Sequence, residues 1–186
     1  MIVAVKRNGK IVVGISVGYN QSIMTGQELA LEENIPIWKA KGSKNCHVFV
    51  EEATRSSDIL RYSDNIFQGI TDTDSVIKNV VPKMQEALEE YSLVADRSKW
   101  ESRMLILKDD KLLCVSPFFV VREEDEFVAL GEDGYALGVL EATRDKTLEQ
   151  SILATFETVK RETNKEVFPV VLFDGKTKKR KVVYHA

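Results

Sequence analysis

The sequence of 186 residues contains only two cysteines and two histidines. Cys46 and Cys114 lie in apolar, strand-like segments and are too few to form a disulfide framework. A metal site needs three or four convergent ligands, and neither His47 nor His185 is followed by other ligand-type residues at a suitable spacing. We therefore expect neither a metal ion nor another cofactor.

The chain also lacks an excess of positive charge and a long hydrophobic run. Its formal net charge is -3, which gives no basic field to attract nucleic acid. No apolar run approaches the roughly 20 residues that span a bilayer. Lys6, Arg7 and Asn8 interrupt the apolar residues where the hydrophobic region of a signal peptide would run. We expect a globular, cytoplasmic protein that binds neither nucleic acid nor membranes.

The first twenty residues carry the clearest local signal in the chain. Two β-branched, apolar segments, residues 2–5 and 11–17, flank the dipeptide Asn8-Gly9. This dipeptide favours a type I′ turn, in which both central residues have positive φ, and it is a strong hairpin signal. The second segment is apolar at consecutive positions, which predicts a strand that is buried on both faces. The chain therefore begins with a β-hairpin.

The remaining pattern predicts four strands, two helices, four strands, two helices and two strands in chain order. Pro82 interrupts the second helix, so a kink or a helix start is expected near it. Thr147 with Glu149 or Gln150 predicts a capped helix start, and residues 118–131 are predicted to form a hairpin that turns at 123–125. Two helix pairs between blocks of strands would most simply cover the outer faces of two stacked sheets. We predict one α+β domain over residues 1–186, a four-layer α-β-β-α sandwich.

This layout, together with several segments, resembles the proteasome β-subunit and HslV, which are N-terminal-nucleophile hydrolases. "IVAVKRNGKIVVGIS" is similar to the family's opening hairpin, including its Asn-Gly turn. "NIPIWKAKGSKNCHVFVEEATRSSDI" and "FVALGEDGYALGVLEA" resemble two later family segments. In the family, the hydroxyl of an N-terminal threonine attacks an amide carbonyl and its own α-amine acts as the base. The resemblance implies a reaction centre at the start of the first strand.

The positions that match the family's functional residues carry other side chains. Met1 and then Ile2 stand at the head of the chain, and we expect Met1 to occupy the position after the threonine. Ser16 stands where the family has an aspartate, and Glu33 stands near its lysine, with Lys39 as the nearest lysine. Glu132 replaces a serine. These residues are the candidates for the cleft: Met1, Ser16, Glu33, Lys39 and Glu132.

Two hypotheses follow. In the first, the chain is a catalytically inactive, proteasome-like structural or binding subunit of a homo- or hetero-oligomer. In the alternative, it is an active peptidase or amidase that uses a non-standard nucleophile in the same cleft, for example Ser16 paired with Lys39. The resemblance implies self-association, as in the rings that the family forms, and a peptide or protein ligand. The first hypothesis is favoured because none of the family's reactive groups is retained.

Three other features receive structural interpretations. Cys46 and His47 are adjacent on a predicted strand, so their side chains point to opposite faces and cannot form a dyad. The basic run at residues 176–181 is interpreted as a solvated turn and a protected sheet edge rather than a binding patch. Gly131 before a predicted helix is interpreted as part of a turn rather than an anion cradle, because Glu132 and Asp133 would repel an anion.

Overall fold

The computed structural model describes residues 1–17, 35–51, 55–91, 100, 102–131 and 133–184. The chain divides into two compact units. Unit 1 comprises residues 1–35 and 125–186, and unit 2 comprises residues 36–124. Each unit contains one five-stranded antiparallel sheet and one group of helices, so the predicted α+β class with antiparallel strands is confirmed.

The sheet of unit 1 is formed by both ends of the chain. Its strands lie in the order β10-β9-β2-β1-β8, with bounds β1 Ile2–Arg7, β2 Lys10–Ser16, β8 Phe127–Leu130, β9 Val170–Asp174 and β10 Arg180–Val183. Unit 1 also contains helices α4 (Asp133–Ala142) and α5 (Leu148–Thr163). One face of this sheet forms an apolar cluster with α4 and α5, which includes Val3, Val5, Val12, Leu140, Ile152 and Phe156.

The predicted opening hairpin is confirmed. Asn8 and Gly9 have φ values of 52° and 70°, as a type I′ turn requires. The register pairs Ile2 with Ile15 and Arg7 with Lys10, so the two strands match over their whole length. The consecutive residues 11–16 of β2 are all buried, which confirms the prediction of a strand that is buried on both faces.

Helix α5 begins where its capping signal predicts. The side chain of Thr147 accepts a hydrogen bond from the backbone N–H of Gln150 at 3.3 Å. The Gln150 side chain in turn accepts from the backbone N–H of Thr147 at 3.1 Å. This reciprocal pair is a capping box, and it satisfies donors that have no partner inside the helix. The helix ends at Asn164, which adopts the left-handed conformation.

Unit 2 contains the second sheet, in the order β3-β4-β5-β6-β7. Its strands are β3 Ile37–Lys39, β4 Cys46–Val50, β5 Met104–Lys108, β6 Lys111–Val115 and β7 Val121–Glu124. The helical segments are α1 Arg55–Tyr62, α2 Thr73–Ser75 and α3 Val81–Glu90. One sheet face packs with these segments in an apolar cluster that includes Cys46, Val48, Leu60, Val80, Met84 and Ile106.

The expected irregularity at Pro82 is a π-helical turn. Residues Val76–Val80 form this turn, and α3 begins directly after it with Pro82 in its first positions. A proline lacks an N–H group, and its ring clashes with the carbonyl four residues earlier. The wider π turn places the change of geometry just before the proline, so the prediction of a helix start near Pro82 is confirmed.

The prediction of a hairpin over residues 118–131 is wrong. β7 pairs with β6 in the sheet of unit 2, whereas β8 pairs with β1 in the sheet of unit 1. Residues 125–126 separate the two strands, and the acidic run 123–126 around this junction contains no glycine or asparagine for a tight turn. It is instead the point at which the chain passes from one unit to the other.

The basic run at residues 176–181 is an exposed turn followed by an edge strand. Residues 175–179 connect β9 to β10, which is the outermost strand of its sheet. Arg180 and Lys181 are exposed there, which supports the interpretation of a charged, protected edge. Among the helices that the structure describes, none has the length and apolar character needed to cross a membrane.

Candidate functional site

The sheet edge at the start of β1 brings together two of the predicted site residues. The hairpin register places Ser16 beside Met1, and the backbone N–H of Ser16 donates to the carbonyl of Met1 at 3.0 Å. Ser16 is also paired with Val170 on the neighbouring strand β9. Met1 is therefore hydrogen-bonded to β2, which in turn pairs with β9 at the same position of the sheet.

The Met1 side chain packs against the apolar cluster that joins the sheet to α4 and α5. Successive side chains of a strand point to opposite faces, so Met1 lies on the same face as Val3 and Val5. Both valines belong to that cluster. The thioether of Met1 therefore contributes to packing beneath the helices.

Ser16 lies on the same face of the sheet as Met1. Val12 belongs to the apolar cluster under the helices, and alternation along β2 places Gly14 and Ser16 on its side. Ser16 is only 9% exposed. Within the described part of the chain, its hydroxyl makes no hydrogen bond, whereas an activated serine needs a base at about 2.6–3.2 Å.

Gly131 completes this edge of the sheet. It follows Leu130, which pairs with Ile2, so the antiparallel register brings Gly131 close to Met1. Gly131 is buried and has a φ of 81°, a conformation that favours glycine. It turns the chain from β8 into α4, two residues later. A glycine directly after a strand is the sequence signal for such a turn, and it supports the structural interpretation of Gly131.

The other predicted site residues lie in unit 2 or outside the described residues. Lys39 is exposed on β3 and belongs to unit 2, where it pairs with His47 in the strand ladder. Glu33 and Glu132 lie outside the described residues. The pair Ser16 and Lys39, considered above as a nucleophile and its base, therefore comes from two different units.

Cys46 and His47 are adjacent on β4 and lie on opposite faces, as predicted. Cys46 belongs to the apolar cluster of unit 2, together with Val48. Burial raises the pKa of the Cys46 thiol to about 11, outweighing a hydrogen bond with Ser43 and the positive charge of Lys108. A nucleophilic cysteine has a lowered pKa and is accessible, so Cys46 is a packing residue. Over the residues the structure describes, no three His, Cys, Asp or Glu side chains converge on a metal position.

Comparison with known proteins gives a consistent result at the level of the fold. No family model and no curated protein matches the chain. Among solved structures, the BPH of Thiobacillus denitrificans in complex with epoxomicin aligns with a TM-score of 0.68 at 17% identity, covering 93% of this chain and 96% of its own. The Anbu ancestral beta-subunit of Yersinia bercovieri aligns with a TM-score of 0.65 at 11% identity, covering 99% and 87%. Eukaryotic HslV of Trypanosoma brucei aligns with a TM-score of 0.58 at 11% identity, covering 99% of each chain.

These alignments span both units of the chain and confirm the predicted fold class. The protein has the fold of the proteasome-like and HslV-like N-terminal-nucleophile hydrolases, an α+β sandwich. Because the identities are between 11% and 17%, the likeness concerns the fold, and activity has to be argued from the side chains. The resemblance found in the opening hairpin and in the later segments is thus confirmed as a likeness of structure.

Proposed function

We propose that this chain is a catalytically inactive subunit of the proteasome-like fold, with a structural or binding role in a homo- or hetero-oligomer. The observation that carries this proposal is the packing of Met1. Its side chain is partly buried against the apolar cluster under α4 and α5, at the strand start where the family resemblance implies a reaction centre. A thioether in such a cluster supplies no nucleophile for an amide carbonyl.

The environment of Ser16 supports the same proposal. Acyl transfer by a hydroxyl needs a base within hydrogen-bond reach and access for the substrate. Ser16 is nearly buried, and its hydroxyl has no basic partner among the described residues. It therefore has neither of the two features that distinguish a catalytic serine from a serine in a strand.

The surface of α4 supports the oligomeric part of the proposal. Tyr135 and Leu137 are 47% and 48% exposed on this helix, although Ala136 and Leu140 beside them are buried. Apolar side chains on the outside of a helix favour burial against a partner. The resemblance to ring-forming subunits makes a second copy of this chain, or a related chain, the natural partner.

Amide hydrolysis provides the direct test. We expect no turnover of fluorogenic peptide amides above background, and we expect the variant Ser16→Ala to give the same result. The control is a separate variant, Ser56→Ala, which alters a buried serine in unit 2. Turnover that is abolished by Ser16→Ala and retained in Ser56→Ala would overturn the proposal. Mass spectrometry of the purified protein completes the test, because an intact Met1 or an exposed Ile2 at the N-terminus would exclude a threonine nucleophile.

Light scattering tests the assembly. We expect an oligomer mass of at least twice the 21.0 kDa of one chain. We expect Leu137→Lys to lower this mass because a buried charge opposes association. Tyr184→Lys is the matched control, since Tyr184 is 61% exposed at the end of the described chain. A strict monomer at high protein concentration would contradict the oligomeric part and leave the catalytic part in place.

The alternative is an active peptidase or amidase that uses Ser16. One observation favours it: the bond between the Ser16 N–H and the Met1 carbonyl brings a hydroxyl-bearing residue next to the start of β1. The peptide-turnover assay above separates the two proposals, since only the alternative predicts activity that depends on Ser16.

A further inference from the structure

A cavity of about 600 Å³ opens in unit 1 at the turn of the first hairpin. Three parts of the chain surround it: the hairpin turn, the start of α5 and the end of β9. Its charged and polar lining consists of Arg7, Asn8, Lys10, Lys146, Thr147, Glu149 and Asp174. Small-molecule sites in proteins commonly have volumes of about 300–1,000 Å³, so the cavity is large enough for an organic ligand.

The cavity is separate from the candidate site at Met1. The two sites lie at opposite ends of β1, because Met1 precedes the first residue of this strand and Arg7 is its last residue. Six residues of extended chain at about 3.3 Å each place them roughly 20 Å apart. Binding in the cavity therefore does not depend on whether the edge at Met1 is catalytic.

The positive groups of the cavity outnumber its negative groups by three to two. Lys10 and Lys146 are exposed, and within the described chain neither ammonium group forms an ion pair. Both negative groups already have partners. Glu149 accepts from the Lys181 ammonium at 3.2 Å, which leaves the lysines of the cavity available to an external anion.

Asp174 is occupied by the turn that follows β9. Its carboxylate accepts from the backbone N–H groups of Thr177 at 2.6 Å and Lys176 at 2.9 Å. These bonds, the Thr177 bond foremost, lower the pKa of Asp174. The Asp174 carboxylate therefore interacts mainly with the backbone of the turn that follows it, and it offsets the positive charge of the cavity lysines only in part.

Arg7 is fixed in position beside the cavity. Its Nη1 donates to the carbonyl of Lys146 at 2.9 Å and also to the carbonyl of Arg144, so the guanidinium joins the hairpin to the loop before α5. Its Nη2 is buried and has no hydrogen-bond acceptor in the described chain. Buried donors are nearly always paired, and because both bonded groups are neutral carbonyls, the charge of Arg7 is not compensated there.

The start of α5 adds to this field. The helix has 16 residues, and its N-terminal residues Leu148 and Glu149 line the cavity together with the cap Thr147. The first N–H groups of a helix carry partial positive charge and favour anions. Val12 and Leu148 add apolar surface to the lining, which suits the organic part of a ligand.

We propose that this cavity binds a small organic phosphate, whose phosphate group lies between Lys10, Lys146 and Arg7 and whose organic part contacts Val12 and Leu148. A phosphate group carries up to two charges and three acceptor oxygens, so it can bind several of these donors at once. A carboxylate has one charge and fewer acceptors for the three cations.

Isothermal titration calorimetry of the full chain tests this proposal with adenosine 5′-monophosphate, glucose 6-phosphate, inorganic phosphate and adenosine as probes. We expect at least one organic phosphate to bind, inorganic phosphate to bind more weakly than that compound, and adenosine not to bind. Lys10→Ala and Lys146→Ala should each weaken binding by about ten- to hundredfold, since each removes a charge-assisted hydrogen bond. Lys146→Arg should keep most of the affinity.

Lys179→Ala is the matched control, because it removes an exposed lysine of unit 1 that does not line the cavity. The lysines of the cavity are exposed, so these variants should fold like the original chain, which thermal unfolding verifies. Absence of binding by every phosphate at 10 mM would overturn the proposal. It would also be overturned if Lys10→Ala and Lys146→Ala bound as tightly as Lys179→Ala, or if inorganic phosphate bound as tightly as the organic phosphates.

Discussion

Ile152 of α5 lies directly over Gly14 of β2, and the Cγ2 methyl of Ile152 fills the space that a side chain at Gly14 would need. The ring of Phe156 borders the same space, 3.0 Å from where a Cβ would stand. The helix can approach the sheet this closely because position 14 has no side chain. Gly14 is thus required for packing, without any unusual backbone conformation.

Gly14→Ala should therefore destabilise the protein by about 1–3 kcal/mol, the usual cost of overfilling a packed core. Urea unfolding measures this change. Gly138→Ala is the matched control, because nothing lies within 4 Å of a Cβ there and alanine favours a helix over glycine by up to about 1 kcal/mol. In Ile152→Ala the cost of Gly14→Ala should shrink, and an unchanged cost in this double-mutant cycle would show that the two residues are not coupled.

The turn at Gly9 tests a different property of glycine. Gly9 has a φ of 70°, and nothing lies within 4 Å of a Cβ built on it. Gly9→Ala should cost about 1–2 kcal/mol from left-handed backbone strain alone. Gly134→Ala, equally free of neighbours, should show no such loss in the same thermal unfolding experiment. Equal stabilities of the two variants would contradict this account of the turn.

The Thr147 cap of α5 should contribute about 1 kcal/mol to the free energy of unfolding. Thr147→Ala removes the oxygen that accepts from the Gln150 N–H, and loss of such a cap costs about 0.5–2 kcal/mol. Thr147→Ser keeps the hydroxyl and should retain most of the stability in urea unfolding. If Thr147→Ser and Thr147→Ala were equally destabilised, the lost methyl group rather than the cap would be responsible.

Local signals in the sequence predicted the parts of the fold that depend on neighbouring residues. The Asn8-Gly9 turn and the Thr147 capping box are both present because each is decided within four residues. The hairpin over residues 118–131 was predicted wrongly for the same reason. Two strands with a short connection resemble a hairpin locally. The two strands separate because β7 pairs with the preceding strand β6, whereas β8 pairs with the distant strand β1.

The sequence named Met1 and Ser16 as cleft candidates, and their role in a site stays a prediction. The hairpin register alone places Ser16 beside Met1, and the structure shows this pairing. The sequence did not indicate which face of the sheet the Met1 side chain occupies, because apolar residues stand on both faces of β1. Helix α5 and its cluster decide that face, and such packing between distant segments is not visible in local periodicity.

Cys46 should make the protein less stable at alkaline pH. Burial raises its pKa to about 11 in the folded chain, whereas an unfolded cysteine has a pKa near 8.5. Below about pH 8.5 both states hold the proton and the contribution of Cys46 to stability is fully present. Between this pH and about 11 the folded state keeps the thiol proton of Cys46, whereas the unfolded state loses it. The free energy of unfolding therefore falls by up to about 1.4 kcal/mol per pH unit.

Urea unfolding at pH 8 and pH 10 measures this loss, with Cys46→Ala as the control. The two proteins differ only at residue 46, so the additional loss in the original chain reports Cys46. The same burial predicts that iodoacetamide at pH 8 modifies Cys46 only after denaturation, because the thiolate is the reactive form. Rapid modification of Cys46 in the folded protein, or equal pH dependence of the two proteins, would contradict a thiol that is buried within the apolar cluster of unit 2.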